Sequence, residues 1–186
     1  MFRFWKVAVL VLLAIDLAVA RWWWVSRKER RYDPLILRAS QRYQIDPALV
    51  KAIIWKESRF EPSARGRAGE IGLMQIRGLA AREWATAERV PSFTDDNLAD
   101  PTTNTLAGSW YLSKLLKRYR QTDNPIPYAL ADYNAGRSHV IRWKTGLATT
   151  NYVAFMKQVT FPSTQQYIQQ VVERREHYRE WFVAKK

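Results

Sequence analysis

The chain has 186 residues, 47% of them apolar and 13% aromatic, which is enough for one packed domain with an appendage and too apolar for disorder. It contains no cysteine and only His139 and His177, which removes thiol nucleophiles, disulfides and cysteine-ligated zinc and leaves almost no material for a histidine triad or a multi-histidine metal site. The formal charge is +13, and residues 1–31 hold seven Lys/Arg against two acids, so the remaining +8 is spread over the rest of the chain. Such a balance suits an anionic partner, and nucleic acid, a phospholipid surface and an acidic wall polymer all qualify.

The N-terminus opens with Arg3 and Lys6, an unbroken apolar run from Val7 to Ile15, Asp16, and then Leu17-Ala18-Val19-Ala20 before Arg21 and three tryptophans. Two readings compete. A basic start, an apolar stretch and Ala18-Val19-Ala20 match a cleaved signal peptide. Against that, the 22 residues from Phe4 to Val25 are long enough to cross a hydrocarbon core of roughly 30 Å, with Trp5 and Trp22-Trp23-Trp24 at the two interfaces. Asp16 near mid-bilayer is the cost of this second reading. The balance favours an uncleaved anchor over residues 1–25, in the inner (cytoplasmic) membrane, with the rest of the chain outside the cytoplasm. Residues 26–32, SRKERRY, read as a solvated basic linker, and residues 33–186 as one domain.

Asp33-Pro34 and Asp46-Pro47 each pair an N-cap acid with a proline at the first helical position. The second helix carries Leu49, Val50, Ile53, Ile54 and Glu57 on one face, so a carboxylate ends an apolar stripe. Gly66, Gly69 and Gly72 then mark tight turns, and Ile71 to Ile76 reads as a short strand or hairpin. Leu79 to Glu88 is predicted helical. Pro91 to Pro101 is a loop, and Asp100-Pro101 starts a helix with Leu106, Trp110, Leu112, Leu115 and Leu116 as core positions. Asn124-Pro125-Ile126-Pro127 reads as a break before a short helix, Tyr128 to Asn134, stopped at Gly136. Helices follow over about Ser138 to Trp143 and Asn151 to Gln158. A long last helix is capped by Ser163 or Thr164, with Tyr167, Ile168, Val171, Val172, Tyr178 and Phe182 on its buried side. The fold class is mainly α, with a minor β-hairpin or turn beside the second helix of the domain.

A partly desolvated carboxylate has its charged form disfavoured and its pKa raised toward the range of a general acid, which fits Glu57. By periodicity alone the favoured reading is structural, with Glu57 turned into solvent at the helix end or paired with Lys56 or Arg59. Four segments read together decide more: Glu57-Ser58, Gly72-Leu73-Met74-Gln75-Ile76, Ala131-Asp132-Tyr133-Asn134-Ala135-Gly136, and Tyr167. In this order and spacing the chain, from about Asp33 to Tyr178, resembles the soluble-type lytic transglycosylase catalytic domain, which is similar in fold to goose-type lysozyme. It departs from the family pattern in having Arg77-Gly78-Leu79-Ala80-Ala81 after the Gln75 motif and Ser163 in place of an acid before the final tyrosine.

The resemblance implies cleavage of the β-1,4 bond between N-acetylmuramic acid and N-acetylglucosamine in peptidoglycan, leaving a 1,6-anhydromuramoyl end. It implies Glu57 as sole acid, then base, with Ser58 supporting it. Met74, Gln75 and Asn134 would shape the sugar cleft, and Tyr133 and Tyr167 would point at the carboxylate. A single acid suffices where the substrate's 2-acetamido group stabilises the oxocarbenium charge. Glu70, Asp95, Asp96 and Asp132 stay open as a second acid. The partners implied are glycan strands and the membrane, with no nucleic acid, metal or cofactor, and nothing fixes the oligomeric state. A water-using lysozyme-type muramidase and a non-catalytic peptidoglycan-binding scaffold are the alternatives.

Overall fold

The structure, a computed structural model, describes residues 2–183. Residues 184–186 of the expected domain, and the side chains of Arg3, Trp5 and Lys6, lie outside what it describes. The chain divides into two units, residues 1–34 and 35–186. The first is a single helix, α1 (Phe2–Arg30), which carries the apolar run and continues through most of the expected linker. At about 1.5 Å per residue its 29 residues exceed the hydrocarbon thickness of a bilayer. Among the described residues it is the helix long and apolar enough to cross a membrane, with a window of mean hydropathy 1.7. At its C-terminal end Arg27 and Lys28 stack over the Trp23 and Trp24 rings, one turn back.

The second unit is built from α2 (Asp33–Tyr43), α3 (Pro47–Ser58), α4 (Gly78–Ala87), α5 (Pro101–Arg118), α6 (Pro125–Ala135), α7 (Arg137–Trp143), α8 (Tyr152–Gln158) and α9 (Pro162–Val183). At Asp46 and Asp100 the Asp-Pro starts behave as read: the Asp46 carboxylate accepts from Ala48 N at 2.9 Å, and that of Asp100 from Thr103 N at 2.7 Å; α2 has Asp33 as its own first residue instead of as a cap before it. Helix α3 is buried along most of its length. Leu49, Val50, Ile53 and Ile54 are buried, and so are Lys51 and Ala52, because other elements surround the helix instead of covering one stripe. The Lys51 ammonium is taken up by aromatic faces, lying 4.2 Å from the Trp181 ring centroid and 5.1 Å from that of Tyr178. Helix α9 packs antiparallel along α3. Lys51 faces Trp181 near one end, Lys56 Nζ donates to Gln170 Oε1 at 2.7 Å further along, and Glu57 meets Tyr167 at the other end.

Four expectations need correction. The segment from Ile71 to Ile76 is a turn with isolated bridges, Arg65 with Ile71 and Ile71 with Ile76, and the described residues form no strand there. Gly72 at φ 78° and Gln75 at φ 48° reverse the chain so sharply that one pair of backbone bonds, both 3.1 Å, closes it. Pro125 and Pro127 do not break the chain; they sit in the first turn of α6, where the missing N–H groups have no helical acceptor to lose. Helix α9 likewise starts at Pro162, so Ser163 and Thr164 are inside its first turn and are not its caps. Of the expected core positions, Leu106, Trp110, Leu116, Val172 and Phe182 are only half-buried, while Leu112, Leu115, Tyr167, Ile168, Val171 and Tyr178 are buried.

Candidate active site

Helix α3 stops abruptly. Arg59 (φ 52°) and Phe60 (φ 62°) both take the left-handed conformation that side-chain-bearing residues avoid. Burial of Phe60 and the bond from Arg59 N to Trp55 O hold them there. The reversal leaves Glu57 half-buried on the last turn and brings residues 61–76 back over the helix end. Ser58 fastens this return: its hydroxyl lies 2.8 Å from Leu73 O and 3.1 Å from Ile54 O. It therefore ties the turn to the last residues of α3.

The turn is pinned from the other side by Asn104 on α5, which is fully buried. Its Oδ1 accepts from Met74 N at 2.8 Å, and its Nδ2 donates to Ile71 O at 2.8 Å and Leu98 O at 3.0 Å. A Cβ on Gly72 would sit 2.3 Å from that Nδ2, so residue 72 has to be glycine both for its φ and for the close approach. The Met74 side chain, expected at the sugar cleft, instead fills the core against Gly108, where a Cβ would meet its Sδ at 2.5 Å. Its carbonyl is what faces the site, accepting from the Tyr133 hydroxyl at 2.7 Å. Gln75 uses its Nε2 twice, on Ala64 O at 3.0 Å and Gly72 O at 2.9 Å. That fixes the amide orientation and leaves Oε1 as the outward acceptor.

These pieces border a cleft of about 350 Å³ that brings Glu57, Glu70 and Gln75 together with Tyr111, Tyr133 and Asn134. Tyr167, buried beneath it, donates to Glu57 Oε1 at 2.6 Å. Tyr133 was expected to aim at the same carboxylate; it bonds Met74 O, and its ring, tilted 53° to that of Tyr111, forms the wall. Asn134 lines the cleft with its Oδ1 held by the Thr164 hydroxyl at 2.8 Å. Asp132 borders the cleft too, but its carboxylate is occupied by Arg118 at 2.5 Å and the Tyr119 hydroxyl at 2.7 Å. Asp95 is paired with Arg82, and neither it nor Asp96 borders the cleft.

Burial pushes the Glu57 carboxyl up from its ordinary 4.5 to about 7. The Tyr167 hydrogen bond and the Lys56 charge pull it back, and the charge of Glu70 adds to the rise. Tyr133 and Tyr167 are themselves raised well above 10 by burial and by the facing Glu57 charge, so both hydroxyls stay protonated donors. A half-buried acid that titrates near neutrality, with one fixed donor on it and an open cleft in front, can give and take a proton at one point. Replacing Tyr167 with Phe removes a donor that favours the ionised form. The alkaline limb of any activity that needs protonated Glu57 is therefore expected at higher pH in Tyr167→Phe, and a pH–rate profile unchanged from wild type would show that the bond has no such role.

The family model described as the transglycosylase SLT domain matches residues 34–154, about two thirds of the chain. The chain belongs to this family. Membrane-bound lytic murein transglycosylase F of Desulfosudis oleivorans is 35% identical over 113 residues, covering 59% of this chain and 23% of that protein. Soluble lytic murein transglycosylase of Escherichia coli K12 is 29% identical over 172 residues, 90% of this chain and 26% of that protein. Among solved structures, the lytic transglycosylase Slt of Pseudomonas aeruginosa, as an inactive mutant, superposes with a TM-score of 0.74 at 25% identity, covering 81% of this chain and 24% of that one. The 70 kDa soluble lytic transglycosylase of Escherichia coli gives 0.72 at 27% identity with the same coverage. This SLT domain chain thus spans about a quarter of the length of these two curated relatives.

Sequence reasoning missed Asn104, Gly108 and Tyr111. A buried Asn among the small residues Thr105, Ala107 and Gly108 was the available signal, since a polar side chain placed there needs backbone partners from elsewhere.

Proposed function

We propose that the domain is a lytic transglycosylase acting on peptidoglycan glycan strands, with Glu57 as its single proton-transfer group. The Glu57 carboxyl protonates the glycosidic oxygen as the bond to C1 of the N-acetylmuramic acid breaks, and the 2-acetamido carbonyl stabilises the developing charge. The resulting carboxylate then takes the proton of the C6 hydroxyl while O6 bonds to C1. This closes the 1,6-anhydro ring and returns Glu57 to its acid form without consuming water. Gln75, Asn134 and the Tyr133 ring hold the sugars. Tyr167 orients the carboxyl, and Ser58 and the Met74 backbone hold the turn that carries Gln75.

The observation that carries the reading is Glu57 itself: half-buried in a cleft, bonded to Tyr167 at 2.6 Å, and titrating at about 7, where one group serves as acid and as base at neutral pH. Relatives named as lytic murein transglycosylases support the substrate class. Relatives named as membrane-bound, together with α1, support an enzyme anchored in the inner membrane and working outside the cytoplasm. The deciding experiment digests purified sacculi and weighs the muropeptides. Products 18 Da lighter than their hydrated counterparts, as loss of one water requires, are expected; products carrying an added water throughout would replace this reading with a muramidase.

A further inference from the structure

Among the described residues, Glu70 is the carboxylate besides Glu57 that borders the cleft without an ion pair, and its side chain bonds back to its own loop. Residues 65–71 close through the Arg65 and Ile71 bridge and the bond from Gly66 N to Glu70 O at 2.8 Å. Within that loop Ala68 N donates to Glu70 Oε2 at 2.9 Å. The side chain is thereby folded back over Gly66: a Cβ at position 66 would lie 2.2 Å from Glu70 Oε2 and 3.0 Å from Gln75 Oε1. Position 66 has no left-handed φ to explain its glycine; a Cβ there would also meet the Glu70 Cβ at 2.9 Å, a contact that turning the Glu70 carboxylate aside would not relieve.

The same point fixes where the two oxygens stand. Both are within 3.0 Å of it, so Glu70 Oε2 and Gln75 Oε1 lie no more than about 5 Å apart. Both are acceptors. The Gln75 amide cannot turn its nitrogen toward Glu70, because Nε2 already serves Ala64 O and Gly72 O. Two fixed acceptors converging at the edge of a cleft call for a donor, and an N-acetylated sugar carries two kinds, the amide N–H and the ring hydroxyls.

We infer that Glu70 is a second working carboxylate of the cleft: held over Gly66 beside the Gln75 amide oxygen, it accepts a hydrogen bond from an amide or hydroxyl donor of the glycan, and its negative charge shares the cleft with Glu57. The inference rests on Glu57 as the catalytic acid and goes beyond it, because a lone acid needs no such neighbour. The charge has a direction. Glu70 opposes ionisation of Glu57, keeping the acid form available to higher pH, while Lys56 on α3 and the Tyr167 hydroxyl on α9 work the other way. Tyr133 and Tyr111 stay neutral, Arg77 borders the cleft, and Asp132 is neutralised by Arg118.

Two variants separate the two effects. Glu70→Gln keeps an oxygen for Ala68 N and removes the charge, so its alkaline limb is expected at lower pH than wild type. The ratio of mutant to wild-type turnover on sacculi would then be about three- to five-fold lower at pH 8 than at pH 5. Glu70→Ala removes the acceptor as well, and KM on a soluble, peptide-free glycan strand is expected to rise about three- to ten-fold. An alkaline limb that stays in place in Glu70→Gln, or a KM within about two-fold of wild type in Glu70→Ala, overturns the inference. Glu57→Gln assayed alongside keeps the two claims apart: if that variant turns over normally the acid assignment itself is wrong, whereas an inactive Glu57→Gln with wild-type Glu70 variants removes only the role of Glu70.

Discussion

Glu57→Gln is expected to lower turnover of sacculi by at least about a thousand-fold while making the folded protein more stable at alkaline pH. The first effect follows from removing the only group proposed to move protons at the reacting centre, where general acid–base assistance alone contributes about 10²–10⁴-fold. The second follows from the raised carboxyl. Folded Glu57 titrates at about 7 against an ordinary 4.5, so between those values the folded state binds more protons than the unfolded one and stability falls as pH rises. Below 4.5 both states are protonated and nothing is lost. Above 7 the full penalty applies, about 3 kcal/mol at most from the 2.5-unit difference and less where solvent reaches the group. Glutamine carries no such penalty and still offers an oxygen to the Tyr167 hydroxyl. Denaturant melts should therefore show the variant about 1–3 kcal/mol more stable than wild type at pH 8 and equal to it at pH 4. Equal stability at both pH values would mean that Glu57 is not desolvated in the way the cleft implies, and retained turnover would remove the mechanism.

Asn104→Ala is expected to be the most damaging substitution away from the cleft. The side chain is fully buried and satisfies Met74 N, Ile71 O and Leu98 O at once. Truncation leaves three buried backbone groups without that partner at about 1–3 kcal/mol each, partly relieved by relaxation or water, so a loss of about 3–5 kcal/mol follows. In a unit of roughly 150 residues this is a fall in Tm of about 10–15 °C. The turn it pins presents Gln75, so KM should rise in whatever fraction remains folded. A loss below about 1 kcal/mol would show that the turn is held by Ser58 and Tyr133 without Asn104. Gly72→Ala attacks the same joint from the other side, through a Cβ 2.3 Å from Asn104 Nδ2, and the two substitutions should be strongly non-additive.

The two halves of the site differ in how they reached the sequence. Glu57 at the end of an apolar stripe was visible because helix periodicity is local, and the Asp-Pro starts of α3 and α5 were visible because a cap and its proline are neighbours in the chain. The proline pair opening α6 misled for the same local reason: proline breaks a helix interior and is tolerated in a first turn, and the residues alone do not say which one it occupies. Met74 sat in the right motif with its side chain facing the wrong way, since a left-handed Gln75 directly after it swings successive side chains to unrelated directions.

The sequence by itself determined the helical class, the Asp-Pro starts of α3 and α5, an apolar N-terminal helix, the place of Glu57 at the end of an apolar stripe and, through four ordered segments, the family. Those are properties of spacing and composition, which the chain carries whether or not it is folded. Tertiary structure decided what the glutamate is. Only the antiparallel run of α9 against α3 sets the Tyr167 hydroxyl 2.6 Å from Glu57 across 110 positions of chain, and only the burial created there lifts the carboxyl to about 7. Packing likewise decided which of the four acids the sequence left open borders the cleft without an ion pair: Glu70 does, Asp132 is held by Arg118 and Tyr119, and Asp95 and Asp96 do not border it, because close approach belongs to the packed state and has no local signature.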